Sequence, residues 1–542
     1  MSKNRVVGLW SGHDTSFCVL EDGKPLMHTE LERHNREKEP AGDSIELFKK
    51  HFGDSSNIAA FTTCFMKSNV TKHEASYASI KDVAPLIACG HHQAHAANAF
   101  YSSNFDEALI LTLDGGGFEN EGNLTAGTTA WRGRGTKLES IFVLPLQFSN
   151  IGGVWTRVTR YIFGYESGWP YGHQAGTVMA LAALGDPQKY ISDFRRFFRG
   201  DLEKAGSTPP GHIKGMSVKD PLRPRHPFLG KWEDIAKANE QEKYNMAAAL
   251  QQATEEHTRE ILQNLLIKYP EAENLCIAGG VALNSVMTGK IKSWFPQLKN
   301  IYVPPVPFDG GLSIGSAQWY WHNELGNPRV KWEDSFPPYL GTTYTKNDVE
   351  YALANSSTHL NVMTDINDEF VTKLIADGNI ISVFNGKAES GRRALGNRSI
   401  LADPRSPTMK DKVNLNVKHR QSFRPFAPSI LHEDVSEWFT DTCDSPYMGF
   451  VLHFKPEKAK LVPAVAHFDG TARLQTVKES DNNWYYHFLK KWKTVSGVPI
   501  ILNTSLNDTS PICETPDDAI KCFCGTEMDY IYFPEFGLLA CK

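Results

Sequence analysis

The sequence has 542 residues, which exceeds one simple core and predicts roughly two to four domains. Its hydrophobic fraction of 41% and charged fraction of 22% are ordinary for a soluble globular protein and exclude a disordered or low-complexity chain. A formal net charge of −5 excludes a global basic field for nucleic acid, although a local basic groove stays open.

The chain offers no sign of a membrane or an oxidising compartment. No apolar run approaches the roughly 18 residues that a membrane helix needs, and the short apolar stretch near the N-terminus cannot be a signal-peptide core. The nine cysteines are scattered, and no two form a C-x-x-C pair. We therefore expect a cytoplasmic protein with reduced thiols, no membrane partner and no zinc held by cysteine.

The first third of the chain predicts two copies of one α/β unit. An apolar strand at residues 6–10 leads through a polar turn into hairpin strands at 16–20 and 26–31. The plan recurs with strands at residues 108–113, 124–131 and 138–144, in which the first is followed by a tight acidic turn at Asp114-Gly115-Gly116-Gly117. The repeat favours a duplicated unit with a cleft between the copies. The alternative is that the two glycine-containing turns are unrelated, because such turns are common between the elements of any fold.

Later elements predict a second α/β segment. Residues 241–269 have helical periodicity, and residues 275–278 form a buried strand that ends in Gly279-Gly280. Prolines at 328, 337 and 338 predict a domain boundary near residue 341, which divides the chain into domains 1–340 and 341–542. Beyond it we expect strands at residues 380–384, 448–454 and 499–502, and a helix around 516–524.

Two histidines could grip a metal ion. His91 and His95 are four residues apart, so on a helix both imidazoles lie on one face. Asp114 and Asp309 each follow an apolar run and precede glycines. Two imidazoles with carboxylate oxygen suit Fe(2+), Mn or Zn. The alternative is a pair of solvated surface histidines.

A double glycine after a strand could cradle a nucleotide. Gly279-Gly280 stand where a predicted strand passes into a helix, and Asp309-Gly310-Gly311 also precedes a predicted helix. Glycines let the backbone approach a ligand, and a helix N-terminus offers N–H groups to phosphate. Neither segment is a P-loop or a dinucleotide fingerprint. Both are also compatible with ordinary helix entries.

The second half concentrates cations beside apolar and small residues. Arginine forks bind phosphate bidentately and lysine adds a point charge, so this pattern indicates a site for one or more anionic substrates. The alternative is solvated surface charge or ion pairs with Asp403 and Glu433. The segment Asn503-Thr504-Ser505 ends another predicted strand of the second half. The cations are Arg392, Arg393, Lys418, Arg420, Arg424 and Arg473.

Taken together, these motifs resemble the O-carbamoyltransferase family, which tailors nodulation factors, cephamycins and aminoglycosides. The likeness runs from Gly8 to about Asp518, and its motifs occur in the family's order: H-H-x-x-H, D-G-G-G, G-G-V-A-L-N, F-D-G-G, R-A-L-G-N-R-S-I-L-A-D-P-R, F-R-P-F-A-P, D-G-T-A-R-x-Q and N-T-S-x-N. The tRNA threonylcarbamoyladenosine synthase and the hydrogenase-maturation carbamoyltransferases are relatives of that family. The resemblance implies an α/β protein with a duplicated actin-like (ASKHA) N-terminal domain and a C-terminal α/β domain that forms carbamoyl adenylate.

The implied chemistry has two steps. Carbamoyl phosphate and ATP, with Mg(2+), give carbamoyl adenylate in the C-terminal domain, and the N-terminal domain then transfers the carbamoyl group to a hydroxyl. By position, His91, His95, Asp114 and Asp309 match the family's iron ligands, and Gly279, Gly280 and Asn284 lie where it holds the nucleotide. The residues that match its carbamoyl phosphate and ATP site are Arg393, Lys418, Arg424, Arg473 and Ser505.

His13 occupies the position proposed near the accepting hydroxyl, and a neutral imidazole there could act as general base. The alternative is a turn residue that bonds its own backbone. Two departures from the family pattern matter. Arg392 stands where the family usually has proline, and Thr177 stands where it tends to have lysine before the V-M-x-L-A run.

The sequence does not identify the acceptor, and it does not determine whether the protein forms a homodimer. A small-molecule alcohol such as a sugar or natural product is one class, and a hydroxymethylated nucleobase in DNA or RNA is the other. The second is motivated by local cations and aromatic side chains available for stacking: Arg132, Arg134, Lys137, Arg195, Arg196, Arg199, Lys219, Arg223 and Arg225, with Trp131, Phe197, Phe198 and Trp232. A non-catalytic actin-like nucleotide-binding protein is a third hypothesis, which the arginine-rich second half argues against.

Overall fold

A computed structural model of the protein describes residues 4–65, 73–167, 173–202 and 226–542. This part of the chain falls into two units. The first is drawn from Met1–Glu32 and Glu37–Trp332, and the second from Arg33–Arg36 and Glu333–Lys542. Among the described residues, no helix combines the length and apolar character needed to cross a bilayer.

The first unit contains two five-stranded sheets with one topology. In the first sheet, ordered β3-β2-β1-β4-β5, the strands are β1 Arg5–Trp10, β2 Ser16–Glu21, β3 Lys24–Glu30, β4 Ile58–Cys64 and β5 Leu86–Cys89. In the second, ordered β10-β9-β6-β7-β8, they are β6 Glu107–Glu119, β7 Leu124–Arg134, β8 Lys137–Pro145, β9 Asn274–Ala278 and β10 Asn300–Tyr302.

Each sheet has a central strand with an antiparallel hairpin on one side and two parallel strands on the other. This shared pattern confirms the predicted duplicated α/β architecture. One predicted detail is wrong. Residues 114–117 do not form a turn, because β6 continues through them with a register shift between Leu113 and Gly117. The glycines permit this irregularity, and Gly116 has a φ of 133°.

The helices of the first unit pack against these sheets or against other helices. They are α1 Leu31–Asn35, α2 Ser44–His51, α3 Glu74–Lys81, α4 His91–Ser102, α5 Ile151–Tyr161, α6 Ala175–Ala182, α7 Ile191–Arg196, α8 Gly230–Ala238, α9 Glu240–Lys268, α10 Ser285–Trp294 and α11 Leu312–Gln318, of which α1 ends in the segment that belongs to the second unit. The long helix α9 confirms the prediction for residues 241–269.

Helix α4 lies in the core between the two sheets. Its alanines, including Ala94 and Ala97, are fully buried with Trp10 and Ile110. Helix α11 approaches it closely, since a Cβ at Gly315 would stand 1.9 Å from the carbonyl oxygen of Ala94. Small side chains therefore let two helices meet at the point where the predicted metal ligands are carried.

The second unit is built on one nine-stranded mixed sheet, ordered β11-β19-β18-β12-β13-β17-β14-β16-β15. Its strands are β11 Asn361–Met363, β12 Ile381–Phe384, β13 Arg398–Ala402, β14 Ala427–Leu431, β15 Phe450–His453, β16 Thr471–Val477, β17 Ile500–Ser505, β18 Tyr530–Phe533 and β19 Leu538–Cys541. Its helices are α12 Lys346–Ala354, α13 Asp368–Ala376, α14 Met409–Asn416, α15 Val435–Trp438, α16 Pro456–Ala459, α17 Asn483–Ser496 and α18 Pro516–Cys524. The three predicted strands and the predicted helix are present.

Candidate functional site

Two imidazoles of α4 face two carboxylates inside the first unit. His91 opens the helix directly after Gly90, and His95 lies one turn later on the same face. Asp114 stands at the irregular part of β6, and Asp309 opens a short 3-10 turn before α11. One ligand atom from each of these four residues lies within 4.8 Å of all the others, and all four residues are buried. The structure therefore brings the four predicted metal ligands together.

The distances within this cluster are short. Nε2 of His95 lies 3.1 Å from Oδ2 of Asp114 and 3.4 Å from Oδ1 of Asp309. Nε2 of His91 lies 3.6 Å from the same Oδ1 of Asp309. Although the first separation is an ion-pair distance, neither nitrogen of His95 makes an aligned hydrogen bond with a described residue, and nor does Nε2 of His91.

Buried polar atoms normally have hydrogen-bond partners, so converging nitrogens without them indicate a missing ligand. Two imidazole nitrogens and two carboxylates are a donor set that suits Fe(2+), Mn or Zn. The residues present therefore fit a divalent cation, without distinguishing among these metals.

The ionisation of the cluster follows from its burial and mixed charge. Burial lowers the pKa of His91 to about 4, which leaves the ring neutral and able to bind a metal. Burial also disfavours a charged His95, but the carboxylates of Asp114 and Asp309 outweigh it and raise its pKa to about 9. The pKa of Asp114 is lowered, because contact with His95 outweighs the opposing effect of burial.

Backbone groups orient Asp114. Its Oδ2 accepts a hydrogen bond of 2.8 Å from the N–H of Gly280, and its Oδ1 accepts one from the N–H of Gly115. Gly117 lies against His91, since a Cβ there would stand 2.1 Å from Cγ of the imidazole. The glycines of both motifs therefore leave room for the ligands and hold one of them in place.

Two neighbours of the ligands were not predicted from the sequence. His92 is fully buried, and its Nε2 donates 3.0 Å to the carbonyl of Ala126 while Nδ1 lies 2.6 Å from Oγ1 of Thr112. Glu119 accepts a 2.5 Å hydrogen bond from the N–H of His92 at the start of α4, and burial raises its pKa to about 7. His92 fixes the helix to the sheet and Glu119 caps it. Only their closeness in sequence to the two motifs could have suggested them.

His13 faces carboxylates on both sides of its ring. Nδ1 lies 2.9 Å from Oδ2 of Asp14, and Nε2 lies 3.2 Å from Oδ2 of Asp309. Burial opposes the charged form, but Asp309 and Asp14 outweigh it and raise the pKa to about 10. Without a cation to offset the charge of Asp309, the ring is therefore protonated, whereas a general base needs the neutral form.

The predicted nucleotide residues form one continuous turn after β9. Gly279 has a φ of 89°, and a Cβ there would stand 2.2 Å from the carbonyl oxygen of Leu113. Asn284 caps α10 by accepting 3.1 Å from the N–H of Met287, and its Nδ2 donates 2.9 Å to Oε1 of Gln251. The amide of Asn284 thus has partners within the protein in addition to any ligand.

The predicted anion residues of the second unit meet at one edge of its sheet. Antiparallel pairing places the end of β17 beside the starts of β13 and β14, and the parallel strand β16 starts at the same edge. The residues at or beside that edge are Arg393 before β13, Lys418 and Arg424 before β14, Arg473 near the start of β16 and Ser505 at the end of β17.

Guanidinium groups cluster there. Burial, with the positive charges of Arg473, Arg392 and Arg424, lowers the pKa of Arg393. Burial and Arg424 lower the pKa of Arg473 to about 10, and burial with Arg424 and Arg473 lowers that of Arg420 to about 8. Within the described chain, no carboxylate faces Arg424 or Arg473, and Nε of Arg473 is buried without a hydrogen bond. Such mutual repulsion among partly buried cations is a signature of an anion site.

Lys418 and Ser505 form a contact of their own. Nζ of Lys418 donates 2.5 Å to the carbonyl of Ser505 and 2.7 Å to Oδ1 of Asn507. The lysine is 3% exposed, so its charge is buried among these oxygens.

Of the two departures from the family pattern, Arg392 lies near Arg393 and adds to the guanidinium cluster, whereas Thr177 is buried in α6.

The prediction that four aromatic side chains are available to stack on nucleic-acid bases is wrong. Phe197 and Phe198 are 1% exposed and Trp131 and Trp232 are also buried, so none is available for base stacking. The cations are paired with acids: Arg132 and Arg134 with Glu107, Arg195 with Glu256, Arg196 with Asp201, and Arg199 with Glu260. Lys137 donates to the carbonyl of Asn323, while Lys219, Arg223 and Arg225 lie outside the described residues.

Both parts of the chain match models of one protein family. The model described as Carbamoyltransferase N-terminus matches residues 55–318, and that described as Carbamoyltransferase C-terminus matches residues 372–539. The two models fall one in each unit of the structure.

Curated relatives cover most of the chain. The nodulation protein NolNO of Sinorhizobium fredii is 35% identical over an alignment of 564 positions, which covers 95% of this chain and 77% of that protein. The nodulation protein NolO of Bradyrhizobium diazoefficiens is 34% identical over an alignment of 455 positions, which covers 81% of this chain and 76% of that protein. Among solved structures, HypF of T. kodakarensis matches with 14% identity and a TM-score of 0.36, over 59% of this chain and 48% of that chain.

Proposed function

The chain belongs to the carbamoyltransferase family, and from that premise we propose that it is an ATP-dependent O-carbamoyltransferase. The second unit makes carbamoyl adenylate from ATP and carbamoyl phosphate, and the first unit transfers the carbamoyl group to an acceptor hydroxyl. The acceptor is a small-molecule alcohol such as a sugar or natural product. The cytoplasmic location, the use of Mg(2+) with ATP and a homodimer stay predictions.

The observation that carries this proposal is the guanidinium cluster around Arg393, Arg424 and Arg473. Partly buried like charges repel one another, and a ligand with several negative charges offsets that cost. Carbamoyl phosphate and the triphosphate of ATP are such ligands. In the first step, water releases phosphate from carbamoyl phosphate, and the carbamate oxygen displaces pyrophosphate at the α-phosphorus.

The second step, carbamoyl transfer, takes place at the candidate metal site of the first unit. His91, His95, Asp114 and Asp309 would hold a divalent cation, of which Fe(2+) is the one implied by the family. When bound, such a cation supplies positive charge that stabilises developing negative charge on substrate oxygens. The acceptor oxygen bonds to the carbamoyl carbon and AMP leaves. His13 takes the hydroxyl proton at Nε2. This role requires a neutral imidazole, and therefore a cation that offsets the negative charge of Asp309.

Gly279, Gly280 and Asn284 are proposed to contact the nucleotide of the adenylate in the first unit. Gly279 provides a backbone conformation that few other residues adopt, which suits close approach to a ligand. Lys418 and Ser505 are proposed to contact carbamoyl phosphate or ATP in the second unit, where their mutual contact fixes them at the edge of the sheet.

The test separates the two steps. Pyrophosphate release from ATP is measured with and without carbamoyl phosphate, and candidate sugars and hydroxylated natural products are then analysed by mass spectrometry for one added carbamoyl group. We expect H95A to keep pyrophosphate release and to lose carbamoyl transfer, while R473M loses both. Pyrophosphate release that is independent of carbamoyl phosphate contradicts the proposal.

A further inference from the structure

Two cysteines of the second unit lie side by side. Cys513 lies in the loop between β17 and α18, and Cys522 lies in the last turn of α18. The two thiols form a side-chain hydrogen bond with each other. Cys513 is fully buried, whereas Cys522 is partly exposed. The pair therefore combines one sulfur that solvent reaches with a second sulfur shielded behind it.

Arg36 fixes this arrangement from a third side. Its Nη2 lies 3.9 Å from Sγ of Cys513, and its Nη1 donates 2.8 Å to the carbonyl of Ile512. Its Nε lies 3.6 Å from Oδ1 of Asp518. Asp518 precedes Cys522 by one helical turn, so both side chains lie on the same face of α18. That face is therefore directed at Arg36 and Cys513.

The two sulfurs differ in acidity. Contact with Cys513 lowers the pKa of the Cys522 thiol. The charges of Lys418 and Arg36 lower it further, against the opposing effects of burial and Asp508. Contact with Cys522, together with burial, raises the pKa of the Cys513 thiol. Cys522 is therefore the sulfur that carries the thiolate, and Cys513 keeps its proton.

An accessible thiolate next to a second thiol is the arrangement that characterises redox-sensing cysteines. Exposure separates this pair from another one in the chain. Cys64 and Cys89 are partners in the register of β4 and β5, but they are 1% and 2% exposed. A dissolved oxidant therefore has access to the sulfur of Cys522 and not to that pair.

We propose that Cys522 and Cys513 form a modification site that reacts with hydrogen peroxide or an organic hydroperoxide. The Cys522 thiolate attacks a peroxide oxygen, the O–O bond breaks, and the leaving hydroxide takes up a proton to become water. Cys522 is then a sulfenic acid. The sulfur of Cys513 displaces its hydroxyl group, which leaves with the Cys513 proton as a second water. In total, two thiols and one peroxide give one disulfide and two waters, and an external dithiol reverses the change.

The site lies behind the candidate anion residues of the second unit. The loop that ends at Cys513 also carries Asn507, whose Oδ1 accepts 2.7 Å from Nζ of Lys418. The N–H of Cys513 closes this loop by donating 3.0 Å to the carbonyl of Leu506. Oxidation replaces a thiolate by neutral sulfur near Lys418. It also draws α18 towards the loop, because an S–S bond of about 2.05 Å is shorter than a hydrogen bond between two sulfurs.

The test maps the disulfide in the full-length protein. The wild type is treated with hydrogen peroxide at pH 7, its remaining thiols are alkylated, and it is digested with trypsin. Cleavage after Lys521 separates the two cysteines, so their disulfide joins the peptides 494–521 and 522–542. We expect this linked pair in the peroxide-treated wild type and its loss when dithiothreitol is added before alkylation.

Three variants assign the sulfurs. C522S should lose the linked pair. C513S should also lose it and should accumulate the sulfenic acid of Cys522, which dimedone traps on peptide 522–542. C524S is the matched control, because Cys524 is also partly exposed on α18 but lies about 200° around the helix, with its sulfur 3.4 Å from Oγ of Ser356. C524S should form the linked pair like the wild type.

The absence of linked peptides in the peroxide-treated wild type overturns the inference. Linked peptides that persist in C522S, or dimedone on Cys524 instead of Cys522 in C513S, overturn the assignment of the attacking sulfur. The wild-type digest needs no variant, so the inference is tested even if a variant does not fold.

Discussion

The backbone N–H of Gly280 donates a hydrogen bond of 2.8 Å to Oδ2 of Asp114. One turn, predicted to hold a nucleotide, thus also orients a candidate metal ligand. Because a fixed carboxylate loses little entropy on binding a cation, this bond should raise metal affinity.

Removing that N–H should weaken the metal site. Gly280 opens a short helical turn after Gly279, a position that tolerates proline, so G280P deletes the donor without breaking a helix. We expect G280P to lower the affinity for Fe(2+) or Mn(2+) about 10–100-fold, the usual effect of losing a bond to a ligand. G280A keeps the N–H, and its Cβ would stand 3.8 Å from Asp114, so it should bind metal like the wild type. Metal titration by calorimetry compares the two, and equal affinities would contradict the positioning role.

A methyl group at Gly117 should displace His91. The added Cβ would stand 2.1 Å from Cγ of the imidazole, which cannot be accommodated without moving the ring. G117A should therefore reduce bound metal about tenfold or more. G176A is the matched control, because its nearest neighbour would lie 4.0 Å away on the exposed side of α6. Elemental analysis of both purified variants gives the outcome, and full metal content in G117A would refute the placement of His91.

Replacing one repelling arginine should stabilise the ligand-free protein. R473M removes a partly buried guanidinium that repels Arg424, so Tm should rise by a few degrees while the stabilisation by ATP is largely lost. R405M is the contrasting variant, since Arg405 contacts Asp403 at 2.6 Å and its loss should lower Tm. Thermal scans with and without ATP measure both. A lower Tm in ligand-free R473M would show that Arg473 has a stabilising partner.

His322 should make the stability of the first unit depend on pH. Burial lowers the pKa of His322 to about 4, against 6.5 for an ordinary histidine. A base whose pKa is lowered by folding contributes its full stability above pH 6.5 and loses it as pH falls toward 4, by at most about 3 kcal/mol.

The variant H322F removes this proton uptake. Its Tm should therefore fall less between pH 7 and pH 4.5 than that of the wild type. The replacement of the exposed residue His359 by phenylalanine is the control for the loss of a histidine elsewhere. Calorimetric scans over this pH range provide the comparison, and parallel curves for H322F and the wild type would contradict the role of His322.

Local pattern was sufficient for much of the fold and part of the site. The helical period over residues 240–268 and the spacing of His91 and His95 are set by neighbours in sequence, because a helix repeats every 3.6 residues. Local pattern failed where burial decides the outcome. Phe197 and Phe198 stand beside arginines in sequence, yet they pack into the core, since aromatic area gains more from burial than from exposure.

The sequence by itself determined the residue types and their local spacing: two histidines on one helix face, glycines after strands, and arginines in apolar surroundings. Only the tertiary structure decided which of these meet. Asp114 lies in a strand irregularity and receives the N–H of Gly280, 166 residues away in sequence. Asn503 of β17 donates a hydrogen bond of 2.9 Å to Oε1 of Gln475 on β16, and β14 lies between these two strands. Such contacts depend on sheet order and register, which are long-range properties that no local period encodes.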